Sequence, residues 1–169
     1  MRDVPMATWM TSDAVAETLR IVGLGSCVAV VLRAVRKPLV GVGHFMLPAR
    51  SQGVPEDDRD KFVDSGIVAM AEALGARGVP PAALEALVAG GARMFRGFGG
   101  GPAIGIRNVA AARETLDLLG IAVVAGDVGG VSSRNLLVAH CGQAVSVAYP
   151  GQTGHPVVAW RDAAETTSP

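Results

Sequence analysis

A mixed α/β sandwich, in which mixed or antiparallel β-sheets are flanked by helices, is the fold class that this sequence predicts. Short apolar segments between glycine-rich or polar turns dominate, and only two segments have clear helical periodicity. Half of the residues are hydrophobic, aromatic residues make up only 4%, and 22 glycines indicate many tight turns. The 169 residues can bury one sizeable core, so we expect a single domain over residues 1–169 with its core at about 19–149.

The first half of the chain predicts three strands followed by a helix. Alternating and β-branched residues indicate strands over 18–22, 27–33 and 39–46, separated by a glycine turn at 23–26 and a turn around 35–38. A helical stripe over 61–74 ends at two glycines. Residues 82–88 fit either a short helix or the approach to a strand, and the pattern leaves both open.

The second half predicts one helix and three further strands. A flexible glycine-rich loop is expected at 97–102, and Asn108 is suited to cap a helix over 109–119. Strands are expected over 121–125, 136–141 and 144–149, the last two as a hairpin. The weakly patterned first 17 residues and last 19 or so predict loosely held ends.

Charge and motif content exclude several classes of function. Fifteen basic residues balance fifteen acidic ones, whereas a nucleic-acid-binding surface needs a basic excess. No apolar run is long enough to insert into a membrane, and acids stand near the N-terminus, so a cytoplasmic protein is expected. No metal site is expected, because there is no C-x-x-C or H-x-x-x-H spacing and the three histidines are dispersed.

Cys27 and His44 form the candidate catalytic pair. Cys27 follows a glycine turn at the start of a strand, where its thiol is exposed and backbone N–H groups can face a ligand. If the next hairpin turn is centred between Val35 and Arg36, antiparallel pairing places Cys27 directly opposite His44. Cross-strand Cβ atoms are about 5 Å apart, which brings the sulfur within contact reach of the imidazole.

Such a pair supports nucleophilic acyl chemistry on a carboxamide or an ester. The imidazole takes the thiol proton, the thiolate attacks the carbonyl, and turn amides near Gly25 and Ser26 hold the oxyanion. The spacing alone leaves open that Cys27 is a core cysteine and His44 an ordinary strand histidine. Cys141 is expected in the core, since its strand neighbour His140 projects to the opposite face.

Several blocks resemble the CheD family of chemoreceptor glutamine deamidases, and they occur in the family's order from about residue 19 to 149. The blocks are Gly23-Leu24-Gly25-Ser26-Cys27-Val28-Ala29-Val30, His44-Phe45-Met46-Leu47-Pro48, Phe62-Val63-Asp64, Gly90-Gly91-Ala92-Arg93-Met94-Phe95, Ile104-Gly105-Ile106-Arg107-Asn108-Val109, Gly120-Ile121, and Asp127-Val128-Gly129-Gly130 with Arg134.

The resemblance implies a sandwich similar to the catalytic domain of cytotoxic necrotising factors, with Cys27 as nucleophile and His44 as base. It implies hydrolysis of glutamine side-chain amides on the cytoplasmic part of methyl-accepting chemotaxis receptors, without a cofactor. It also implies binding to the CheC phosphatase. In this setting the glycine pairs at 90–91 and 129–130 are expected to permit close backbone approach, and Arg134 to brace a loop or a carboxylate.

One position departs from the family. Many members carry a threonine six residues before the cysteine to orient the histidine, and this chain has Ile21. A backbone carbonyl, Thr18 or Ser133 must then orient His44, and we expect reduced but measurable deamidation. Two alternatives stay open: a weakly active or inactive binding module that regulates a CheC-type phosphatase, and a cysteine hydrolase or transglutaminase with another protein substrate.

Overall fold

Residues 1–50, 56–94 and 103–156, the part of the chain that the computed structural model describes, form two five-stranded β-sheets and two α-helices. The helices are α1 (Val63–Ala76) and α2 (Ile104–Leu118). The strands are β1 (Arg2–Asp3), β2 (Thr8–Ser12), β3 (Thr18–Leu24), β4 (Val28–Ala34), β5 (Val40–Phe45), β6 (Leu84–Gly90), β7 (Ala122–Val128), β8 (Arg134–Ala139), β9 (Ala144–Ala148) and β10 (His155–Pro156).

The two sheets are both mixed. The first has the order β2-β5-β4-β6-β7 and is antiparallel except for the parallel β6–β7 pair. The second has the order β1-β3-β8-β9-β10 and is antiparallel except for the parallel β1–β3 pair. The predicted mixed α/β sandwich is therefore confirmed, whereas its similarity to the necrotising-factor domain stays a prediction.

Strand β4 lies at the centre of the first sheet and is buried along its whole length. Because successive side chains of a strand point to opposite faces, Val28 and Val30 pack with the two helices, while Ala29 and Val31 pack against the second sheet. The layers are thus helices, first sheet, second sheet, with one apolar core on each side of the first sheet. This burial on both faces explains why the strand is continuously apolar from Val28 to Leu32.

Helix α1 packs closely on β5 because glycines face it there. A Cβ atom at Gly41 would lie 2.7 Å from Cγ of Met70, and the ring of Phe45 occupies the space above Gly43 and Gly66. The small residues therefore leave room for two large buried side chains. Neither α1 nor α2, the helices within the described ranges, is long and apolar enough to span a membrane.

The predicted loose N-terminus is wrong. Residues 2–3 pair with β3, and β2 pairs with β5 along its whole length. The indole of Trp9 donates a hydrogen bond to Asp60 at 2.9 Å, and Val4 is buried. β2 is an edge strand with mostly half-buried side chains, so it lacks the alternation that reveals a strand in sequence.

The structure resolves one open segment and differs from two predicted elements. The ambiguous segment 82–88 is a 3₁₀ turn at Pro81–Ala83 followed by β6. Helix α2 begins at Ile104, so Asn108 lies inside the helix and is not its N-cap. β8 ends at Ala139, because His140 and Cys141 adopt positive φ angles in a turn. The predicted loop at 97–102 and the end of the chain after residue 156 lie outside the described residues.

Candidate active site

The β4–β5 hairpin places Cys27 and His44 on the same face, two residues out of register. Ala29 pairs with His44 and Val28 with Phe45, which centres the turn between Arg36 and Lys37. The predicted direct pairing of Cys27 with His44 is therefore wrong. Moving the turn centre by one residue changes the register by two residues, and an even shift preserves the face.

Cys27 and His44 line one cavity of about 430 Å³, which lies where the first sheet meets the second. Its other walls come from the N-terminal segment and from the end of β3. The lining residues are Asp3, Val4, Pro5, Met6, Val22, Gly23, Cys27 and His44. The structure thus brings the predicted pair into one cavity, and the N-terminal segment closes one of its sides.

The thiol of Cys27 is half-buried at the cavity wall. Its Sγ lies 3.9 Å from Sδ of Met6, to which it donates a weak hydrogen bond. Burial raises the pKa of the Cys27 thiol above its usual 9.0, and a hydrogen bond from its own backbone N–H partly opposes this effect. Cys27 is therefore a neutral thiol at neutral pH in the free protein.

The imidazole of His44 is buried. Burial lowers its pKa from the usual 6.5, and a hydrogen bond with the backbone of Val4 partly opposes this effect. Nε2 is buried and has no hydrogen-bond partner among the described residues. The pKa shift therefore favours the neutral imidazole at neutral pH, the form that can accept a proton.

Backbone hydrogen bonds fix the turn that carries Cys27. The carbonyl of Gly25 accepts from the N–H of Ala92, and the carbonyl of Cys27 accepts from the N–H of Gly91, both at 2.8 Å. The carbonyl of Ser26 accepts from the side chain of Asn108 at 2.9 Å. With all three carbonyls of the turn occupied, its peptide planes are held in one orientation.

The glycine pair at 90–91 permits this close backbone approach, as predicted. A Cβ atom at Gly90 would overlap the carbonyl oxygen of Cys27, and one at Gly91 would overlap the side chain of Val109. Gly90 also has a φ of +101°, which favours glycine. At Gly129, by contrast, an added Cβ atom would meet no neighbour, so close approach does not explain the pair at 129–130.

Arg134 braces both a loop and a carboxylate, which confirms its predicted role. The guanidinium is buried, forms an ion pair with Asp127 and donates to the carbonyl of Gly129. The N–H of Gly129 donates in turn to the carbonyl of Gly90 at 2.8 Å. Tyr149 donates to the same Asp127 carboxylate at 2.7 Å. Arg134 therefore holds Gly129, which in turn bonds the Gly90–Gly91 segment against which the Cys27 turn is fixed.

Ile21 is fully buried in the core between the sheets, where it pairs with Leu136. Its side chain has no polar atom with which to orient His44. Thr18 lines a different cavity at the other end of β3. The Val4 backbone opposes the effect of burial on the pKa of His44, so it is the candidate for orienting the imidazole, and this role stays a prediction.

Comparison with known proteins identifies the family. The family model described as CheD chemotactic sensory transduction matches residues 46–148, more than half of the chain. A Natronomonas pharaonis protein named probable chemoreceptor glutamine deamidase CheD is 40% identical over 162 residues, which cover 91% of this chain and 87% of the relative. The chain belongs to the CheD family.

Other CheD relatives are similarly distant. A Haloarcula marismortui protein named probable chemoreceptor glutamine deamidase CheD is 39% identical over 114 residues, covering 68% of this chain and 65% of the relative. A Halalkalibacterium halodurans protein named chemoreceptor glutamine deamidase CheD is 38% identical over 122 residues, covering 70% and 75%. The CheD family model itself begins two residues after His44, so the Cys27–His44 pair lies outside the segment that it matches.

Three contributors to the CheD site were missed in the sequence. Val4 and Met6 come from an N-terminal segment without clear periodicity, although the Val4-Pro5 pair is typical of extended chain. The sequence predicts Asn108 as a helix cap, whereas its side chain reaches the Cys27 turn. Within residues 1–50, 56–94 and 103–156, no three His, Cys, Asp or Glu side chains are grouped to hold a metal ion. A reaction without a cofactor stays a prediction.

Proposed function

We propose that this CheD protein is a cysteine-dependent deamidase that hydrolyses glutamine side-chain amides of methyl-accepting chemotaxis receptors to glutamate. The observation that supports it best is the single cavity lined by Cys27 and His44 in a chain whose relatives are named chemoreceptor glutamine deamidases. The receptor's cytoplasmic domain is the proposed substrate, which places the protein in the cytoplasm.

In the first half of the reaction, His44 Nε2 takes the proton of the Cys27 thiol as the sulfur attacks the glutamine Cδ. The carbonyl oxygen becomes an oxyanion, which backbone N–H groups of the turn at Gly25, Ser26 and Cys27 stabilise. The C–N bond then breaks, His44 returns the proton to the departing nitrogen, and ammonia leaves. Glutamyl thioester at Cys27 remains.

Water hydrolyses the thioester in the second half. His44 Nε2 removes a proton from the water as its oxygen attacks the thioester carbon, and a second tetrahedral oxyanion forms in the same place. The C–S bond breaks, the sulfur regains a proton from His44, and glutamate is released. The receptor gains one negative charge for each glutamine converted, and the protein returns to its starting state.

The neutral state of Cys27 and His44 in the free protein is compatible with this thioester mechanism. Burial raises the pKa of Cys27 and lowers the pKa of His44, so proton transfer from sulfur to Nε2 is unfavourable in the free protein. Transfer coupled to attack on the carbonyl avoids a free thiolate. We expect the Val4 backbone to accept from the imidazole and to orient it in place of the family threonine, which favours an active enzyme over an inactive binding module of a CheC-type phosphatase.

Mass spectrometry of a receptor fragment tests this function. The purified protein is incubated with a receptor cytoplasmic fragment, and each conversion of glutamine to glutamate adds ~1 Da. We expect a time-dependent gain at a small number of glutamines and little conversion of free glutamine. No gain, together with retained binding to a CheC-type phosphatase, would favour the binding module. Comparable turnover of free glutamine would indicate another class of hydrolase.

The pH dependence of deamidation is expected to have its acid limb below pH 6.5. A general base acts when unprotonated, and burial lowers the pKa of His44 from 6.5, so activity persists as the pH falls through 6.5 and is lost lower. The raised pKa of Cys27 places any loss from thiol ionisation above pH 9.0. Measurement of kcat/KM across this range checks the prediction, and a half-activity point above 6.5 would contradict it.

Replacing Ile21 by threonine is expected to leave the deamidation rate within about twofold, because in this proposal the Val4 backbone already orients the imidazole. The buried hydroxyl should lower the free energy of unfolding by about 1–3 kcal/mol. Ile21→Val, which shortens the side chain without adding a hydroxyl, is the matched control. A several-fold rise in kcat for Ile21→Thr alone would mean that orientation of His44 limits this enzyme.

A further inference from the structure

We propose that Asn108 is a positioning residue for the Cys27–His44 pair, acting through the backbone on both sides of the site. Its side chain is fully buried within α2. Its Nδ2 donates to the carbonyl of Ser26 and to the carbonyl of Met46, both at 2.9 Å. One NH₂ group thus joins the residue before the nucleophile to the end of the strand that carries the base.

The clamp acts where the β-ladder stops. The last pair of the β4–β5 ladder is Val28 with Phe45, so the next position, Cys27 beside Met46, has no ladder hydrogen bond. The Asn108 amide bridges the Cys27 turn and the end of β5 at that point, from the helix side of the sheet. Without it, the Cys27 turn and the end of β5 could separate, and the cavity between them would lose its fixed shape.

The clamp also sets the direction of a backbone donor. In a planar trans peptide the C=O and the following N–H point in opposite directions. Because Asn108 holds the Ser26 carbonyl on the helix side, the N–H of Cys27 points away from the helices, toward the face on which the cavity lies. This N–H belongs to the group of turn amides proposed to stabilise the oxyanion, so Asn108 orients that donor without touching the substrate.

Stability alone does not explain an asparagine here. Its Oδ1 is buried and has no hydrogen-bond partner among the described residues, which is unfavourable. A carboxylate could not donate to two carbonyls, and a hydroxyl could donate to only one. A carboxamide is the short side chain whose single nitrogen donates twice, and both of its N–H groups are used.

The test compares Asn108→Leu with Thr115→Val, a control on the same helix whose buried hydroxyl lies about 10 Å further along. If Asn108 positions Cys27, iodoacetamide should alkylate the thiol about threefold more slowly in Asn108→Leu at neutral pH. The pH midpoint of alkylation should also rise, because the displaced N–H of Cys27 no longer bonds the sulfur. Thr115→Val should keep the wild-type alkylation profile. The wild-type protein, placed in enough denaturant to lower its stability to that of Asn108→Leu, should keep this profile too.

Activity supplies the second readout, since the role in catalysis rests on the proposed deamidation. On the receptor fragment we expect kcat to fall about tenfold to a hundredfold in Asn108→Leu with KM little changed. A wild-type alkylation profile in folded Asn108→Leu would overturn the inference, whether or not the wild-type protein deamidates receptors. If Asn108→Leu does not fold, Asn108→Ser, which keeps one donor, replaces it: alkylation slower than in the wild type supports the clamp, and a wild-type profile overturns it.

Discussion

Replacing Cys27 by alanine is expected to abolish ammonia release from a receptor fragment while the protein stays folded. In the proposed mechanism the thiol forms the covalent bond, and among the described residues that line the cavity no other side chain is a nucleophile of comparable strength. We expect a loss of at least about 10⁴-fold in kcat/KM. Rate measurements by mass spectrometry, with circular dichroism to confirm folding, check this expectation.

Cys141→Ala is the matched control for Cys27→Ala. Cys141 is buried in the core between the sheets, as the sequence predicts, and is not part of the cavity. Its replacement should lower the free energy of unfolding by about 1 kcal/mol and leave the deamidation rate unchanged. Limiting alkylating reagent should label half-exposed Cys27 before buried Cys141, because access differs. Full activity of Cys27→Ala would rule out the proposed nucleophile.

Replacing His44 by asparagine is expected to reduce kcat by about 10²–10⁴-fold with little change in KM. The asparagine amide keeps a polar group at this buried position, but it provides no base for proton transfer. His44→Gln places an amide nearer to Nε2 and should be equally impaired, since an amide does not accept protons at neutral pH.

The paired His44 variants separate proton transfer from packing. Both are buried polar replacements, and thermal unfolding should show losses of stability that are similar to one another. If proton transfer is the role of His44, the remaining activity of both variants should lose the acid limb expected below pH 6.5. A variant that retains wild-type kcat, or one that keeps this acid limb, would show that another group acts as the base.

Periodicity was sufficient to predict most of the architecture. The strands around residues 18–22, 27–33 and 39–46 were located because β-branched residues alternate between glycine-rich turns. The N-terminal strands were missed because β1 has two residues and β2 is a half-buried edge strand. Their stability comes from pairing with strands distant in sequence, which a local pattern does not contain.

The sequence indicates a candidate pair but not its register. Residue types and the glycine turn indicated Cys27 and His44, and the parity of the register placed them on one face. The turn centre was one residue off, because Val35–Pro38 contains no Asn-Gly or Gly-x pair to fix a two-residue turn. Asn108 resembled a cap because asparagine favours that position, whereas the helix already begins at Ile104.

Trapping the covalent intermediate tests the central claim most directly. The protein is mixed with a receptor cytoplasmic fragment, quenched in acid within the first turnover, digested, and examined by mass spectrometry. The thioester mechanism predicts a cross-linked species whose mass equals the two peptides less ammonia, ~17 Da, with the link at Cys27. Deamidation that proceeds without this species, and at an equal rate in Cys27→Ala, would contradict the mechanism.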